Sequence, residues 1–214
     1  MKSELKSRIA EAYTKEVLSS ELFPKSIYAF CQKHDFNENE FYEVFASLDA
    51  VKNYIWVAFH KNCKKVLKKN KSFSKYDSKE KFLAYLFSYF ELLTLNRSYV
   101  LYVLNEGHSL ERLKNLKQLK DFRTHYLTFV KDTVLSNENE SKIQELNDKL
   151  FSEGTWVQFL ILLKFWIEDQ SPKFEKTDIA IEKSVQAVFD LLQSNPLEKW
   201  IDLGKFMVKE GFKL

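Results

Sequence analysis

No glycine occurs before Gly107, and the chain of 214 residues holds only four glycines and three prolines. Hairpins and tight turns draw on both residue types, Gly for backbone angles with φ above zero and Pro for a preset φ. A chain with so little of either has scant material for a sheet, and the reading is all-α. The same scarcity removes a glycine-rich phosphate loop from the first half, and neither Gly107 nor Gly154 stands in a phosphate-binding pattern.

What the chain has in place of Gly and Pro is aromatic bulk. Its 19 Phe, 10 Tyr and 4 Trp sit within a hydrophobic content of 45%, enough to build a real core. Leu5, Ile9, Ala12, Tyr13 and Val17 recur at helical spacing and predict a first helix. Pro24 suits the first turn of a second, Pro24 to Lys33, with Ile27, Phe30 and Cys31 turned inward. Asn37 opens a short helix with Glu40 three residues on, a capping-box-like pair, and Phe41, Val44 and Phe45 on its buried side. Ser47 caps a longer helix carrying Val51, Ile55, Ala58 and Phe59. From Asp77 the helices lengthen. "KFLAYLFSYFELLTL" is apolar on most of its circumference, so it is expected to be surrounded by other helices. A polar break, "SNENESK", then predicts a weak helix followed by a separate one over "TWVQFLILLKFWIEDQ". Ile181, Val185, Val188 and Leu192 mark the next, and "LEKWIDLGKFMVKEGF" a tail helix. The apolar run Trp156 to Ile167 is read as too short to span a bilayer.

Charge is unevenly placed. The formal net charge is only +3, but residues 63–81 carry eight Lys against two acids, whereas His34 through Val51 carry five acids and no Lys or Arg. Cys31 and Cys63 read as small core residues in a reduced, cytoplasmic setting, since no leading signal peptide is apparent. His34, His60, His108 and His125 are scattered, and His60 with Cys63 is at best half of a metal site. No Ser or Cys stands in a nucleophile motif. No catalytic residue, metal or cofactor is assigned.

In the first part Ser26 and Ile27 open a helix, Cys31 holds a small-residue position, and Phe41, Tyr42 and Phe45 form an "LYxxF"-like pattern before the capping Ser47. Together with "WVQFLILLKFWIEDQSPKFEKTDIAIEKSVQAVFDLL" near the end, this resembles the tetracycline-repressor (TetR) family. The resemblance implies a helix-turn-helix head over 1–46, a connecting helix and basic linker over 47–76, and a ligand-binding and dimerisation domain over 77–214. It implies a homodimer through helices near 155–170 and 175–193, with Leu162 and Val185 as the positions where a charge would dissociate it. It also implies a cytoplasmic transcriptional regulator, not an enzyme, that senses a small apolar ligand or lipid.

DNA-contacting candidates are Asn37 and Asn39 for base edges and Tyr42 for phosphate, with Ser26, Lys25, Lys33 and Lys52 at the edges. Asp35 stands where the family usually has Gly, Leu48 where it often has a basic residue, and the acids oppose the phosphate backbone, so DNA binding is expected to be electrostatically weak. Ligand-lining candidates are Phe82, Tyr85, Tyr89, Phe90, Tyr99, Tyr102, Phe122 and Tyr126, the tyrosines supplying hydroxyls. The segment "WIEDQSPKFEKTDIAIEKSV" is also similar to a lipid-binding ubiquinone-biosynthesis accessory protein of the same fold. That likeness implies an alternative, a non-DNA-binding isoprenoid-binding or scaffold protein.

Overall fold

The computed structural model describes residues 2–104, 115–135 and 142–193, and every regular element among them is helical. Nine α-helices follow in order: α1 (Lys2–Ser20), α2 (Ile27–Lys33), α3 (Glu38–Tyr42), α4 (Leu48–Lys69), α5 (Ser78–Leu95), α6 (Arg97–Leu104), α7 (Lys120–Thr133), α8 (Lys142–Glu168) and α9 (Glu175–Gln193). Short 3-10 turns stand at Phe73–Lys75, Leu116–Leu119 and Pro172–Phe174. The tail helix expected from "LEKWIDLGKFMVKEGF" lies outside the described residues.

Two boundaries differ from the sequence reading. α2 begins at Ile27 rather than Pro24, because the Ser26 hydroxyl accepts a hydrogen bond from the Ala29 N–H at 3.1 Å and so closes the helix end itself. The weak helix and the apolar helix expected as two elements form the single α8. Gly154 lies inside it at a cost of about 1 kcal/mol. The apolar residues on either side, Phe151, Trp156 and Phe159, are buried, and their packing outweighs that local preference.

The chain divides into two compact units. In the first, residues Met1–Val66 and Ser88–His125, α1 packs on α6 and α2 on α3. Ile9, Tyr13 and Val17 of α1 and Phe30, Phe41 and Val51 of the next three helices have no exposed surface. The buried Trp56 indole donates to Gln118 Oε1 at 2.9 Å, and the Gln118 amide donates onward to the Val103 carbonyl at 3.3 Å. Both polar groups thereby keep partners away from water. Cys31 and Cys63 are buried thiols, as expected, and loss of solvent pushes Cys63 up to about 12.

In the second unit, residues Leu67–Phe87 and Tyr126–Leu214, α8 packs along α9. The Gln158 amide donates to the Ser184 hydroxyl at 2.8 Å between them. Asp169 ends the crossing. One carboxylate oxygen accepts from the Ser171 N–H and hydroxyl at 2.8 and 2.7 Å, the other from the Thr177 N–H and hydroxyl at 3.0 and 2.6 Å. Burial opposes ionisation of this carboxyl, but the four donated bonds outweigh it and hold it at about 2. They also fasten a turn in which Lys173 and Phe174 both take positive φ, 53° and 61°, an unfavourable conformation for residues with a Cβ. In the same unit Asp77 and Glu80 form a reciprocal capping box that starts α5, with N–H to carboxylate distances of 2.9 and 2.8 Å.

Candidate functional site

The α2–turn–α3 element is built without glycine. Asp35 takes φ 55°, the left-handed angle usually left to Gly, and the Phe36 N–H returns to the Cys31 carbonyl at 2.9 Å. This is a Schellman-type helix end, and it brings Phe36 onto Phe30, ring centroids 6.0 Å apart, as its apolar closure. A short carboxamide or carboxylate side chain tolerates that angle better than most. Asn37 then caps α3, its side-chain oxygen accepting from the Asn39 N–H at 2.8 Å. Phe41 is fully buried, while Asn39 and Tyr42 stand exposed on the outer face.

The structure separates the proposed DNA-contacting residues by what they already do. Asn37 and Ser26 are exposed but hold helix caps. Lys52 lies over the Phe23 ring at 4.2 Å and pairs with Asp49 at 3.5 Å. Lys33 pairs with Glu16 at 3.1 Å, and the same carboxylate meets His34 Nε2 at 2.6 Å. Lys2 stands 3.8 Å from Glu43. Lys25 is exposed and in no ion pair among the described residues. Three cations beside the acidic run are thus at least partly neutralised within the chain.

Seven of the eight aromatic candidates for a ligand site are buried, and the two units hold different members of the set. In the first unit Tyr89 stacks on Phe122 at 4.8 Å, and Tyr99 is buried with its hydroxyl lacking a hydrogen-bond partner among the described residues. Phe90 is buried in the same unit. Tyr102 is half-buried and does something else: its hydroxyl donates to the Glu21 carbonyl and its ring meets Phe23 at 5.1 Å, fastening the loop between α1 and α2. In the second unit Tyr85 stacks on Phe129 at 4.2 Å and lies 5.9 Å from Tyr126, and Phe82 meets Phe189 at 6.1 Å. The Tyr126 hydroxyl donates to the Thr155 carbonyl at 3.0 Å. Loss of solvent raises the Tyr89, Tyr99 and Tyr126 hydroxyls above the usual phenol range, so all three stay protonated.

A cleft of about 630 Å³ in the first unit is lined by other residues, among them Lys6, Phe45, Tyr54, Lys61 and His125. His125 lies 5.9 Å, ring to ring, from the buried His60. Burial, with the charges of Lys64, His125 and Lys61, lowers His60 to about 4. It is neutral at physiological pH.

The sequence reading missed an outward stripe on α8. Val157, Ile161 and Phe165, four residues apart, are 54%, 63% and 41% exposed, and Ile179 of α9 is 50% exposed. Their i, i+4, i+8 spacing was the available signal. In a stretch apolar on nearly every side, periodicity alone does not distinguish outer from inner faces. Leu162 and Val185, expected at a subunit interface, are 3% and 0% exposed and belong to the chain's own core. A charge there would test folding. Because α8 is continuous, the stretch Asp148–Glu168 is long and apolar enough by length and composition to cross a membrane, which corrects the shorter span counted from sequence. Such a helix is equally the core of a helical bundle, and nearly half of it is buried within this chain.

Comparison with protein-family models matches residues 81–207 to the family described as tetracyclin repressor-like, C-terminal domain. The span covers more than half of the chain and leaves α1–α4 outside it. Comparison with curated proteins gives no match.

Proposed function

The chain belongs to the family of tetracyclin repressor-like C-terminal domains, and from that membership we propose a homodimeric, cytoplasmic transcriptional regulator whose body binds a small apolar ligand and whose head touches DNA. The observation that carries this reading is the exposed stripe Val157, Ile161 and Phe165 on α8, with the exposed Ile179 on the helix packed along it. Scattered apolar residues are ordinary on a monomer's surface, whereas aligned ones on adjoining helices fit a second copy of the same pair. In this reading α8 and α9 form a four-helix interface with their copies. The Tyr99 hydroxyl, buried without a hydrogen-bond partner among the described residues, supports a ligand that satisfies it. Asn39 and Tyr42 present polar groups outward from α3 in the manner of a reading helix.

A second reading is favoured by the charges of the head. With Lys33 and Lys52 paired inside the chain and five acids over 35–49, little counter-charge is left for phosphates. On that reading the protein binds an apolar or isoprenoid lipid, or acts as a scaffold, without DNA. Gel-shift of the protein's own upstream region at low salt, with genomic capture, separates the two. A regulator gives an enriched site, a steep loss of binding with salt and weaker specific binding for Tyr42→Ala. Absence of any enriched site leaves the second reading, and native mass spectrometry of protein from its own host then shows a co-purifying lipid.

A further inference from the structure

Between Asp49 and Asp77 the chain contains eight lysines and no acid. The end of this run is a built surface in the second unit. Lys68 and Lys69 close α4, and Lys71 and Lys75 follow on the loop that leads to α5; all four are exposed and in no ion pair among the described residues. The loop is held by its own bonds: Ser72 N–H to Asn70 Oδ1 at 3.0 Å, Phe73 N–H to the Asn70 carbonyl at 3.0 Å and Lys75 N–H to the Ser72 carbonyl at 2.9 Å. Among the lysines stand Phe73 and Tyr76, each half-buried, edge to face at 6.1 Å. A helix C-terminus attracts Lys68 and Lys69 by its own dipole, but that attraction fades within the last turn and does not account for Lys71 and Lys75.

We propose that the loop Lys68–Tyr76 docks the protein onto an anionic lipid bilayer. Two features favour a bilayer over a nucleic-acid backbone. Every cation between Arg8 and Arg97 is lysine, a hydrated point charge suited to a diffuse anionic surface, with none of the planar forks that grip individual phosphates. The aromatic pair sits among the charges, the arrangement that places rings at headgroup level beside cations. The surface belongs to a different unit from α2 and α3, so it stands independently of whether the head reads DNA.

The test is co-sedimentation of the full chain with vesicles of phosphatidylcholine alone or mixed with phosphatidylglycerol, alongside a random-sequence DNA duplex. The wild type should sediment with the anionic vesicles only. Replacing Lys68, Lys69, Lys71 and Lys75 by Gln should lower that partitioning by nearly three orders of magnitude, at roughly fivefold per lysine. A variant with Gln at Lys25, Lys120, Lys176 and Lys183, which removes the same charge elsewhere, should keep most of it. Far-UV circular dichroism should match across all three proteins. The proposal is overturned by failure of the wild type to bind anionic vesicles, by equal loss in both variants, or by a loop whose lysines serve only the duplex.

Discussion

Replacing Ile161 with Asp should split the proposed dimer and leave the protomer folded. Ile161 is 63% exposed, so pairing has about two-thirds of its side chain left to bury. Full burial of an Ile is worth roughly 1.5–3 kcal/mol, which makes its share about 1–2 kcal/mol per protomer. In a twofold interface the substitution is made twice, so the loss is about 2–4 kcal/mol before any cost of facing the carboxylate with its copy, or roughly 30- to 1,000-fold in the dissociation constant. Sedimentation equilibrium over a concentration series reads this directly. Because Ile161 lies outside the protomer's core, the urea midpoint of the dissociated form should remain cooperative. Leu162→Asp is the contrasting control: one residue along, 3% exposed, it should unfold the second unit by placing an unpaired charge in the core. A wild type that sediments as a monomer at micromolar concentration, or an Ile161→Asp protein that dimerises as tightly as the wild type, would refute the reasoning.

Acid should act first through His60. Its folded value of about 4 lies below the ordinary 6.5, so its contribution is intact above about pH 6.5 and is lost as pH falls toward 4, on the order of 2–3 kcal/mol in all. Urea titrations at stepped pH should show this slope in the wild type and a flatter one in His60→Gln. Asp169 acts lower: its carboxyl is depressed to about 2, so its stabilisation is present above about 4 and disappears only as pH falls through 2. Asp35→Gly should raise the unfolding free energy read from urea titration, by up to about 1 kcal/mol, because the left-handed φ of 55° then no longer opposes a Cβ, whereas Asp35→Val should lower it by about 1–2 kcal/mol.

The helicity of the described residues, and most helix ends in the first half, were legible in the residues themselves. Gly and Pro scarcity, the caps Asn37 and Ser47, and the inward positions Phe30, Phe41, Val51 and Ile55 are local facts, since each depends on neighbours within one or two turns. Burial of the aromatic set was legible too, because large apolar rings leave water wherever a core forms. What those rings and charges meet was decided only by tertiary structure. Nothing near Tyr102 in sequence announces the Glu21 carbonyl, 81 residues away, and nothing near Lys33 announces Glu16 on the preceding helix. The unbroken α8 across Gly154 is of the same kind, a weak local preference overridden by packing. So is its outward face. Leu162 and Ile161 carry side chains of nearly the same size and apolarity one position apart, and only the placement of the surrounding helices turns the first into the core and leaves the second in water. Hydrophobicity determines that a side chain seeks burial; the direction in which it finds it is a property of everything packed around it.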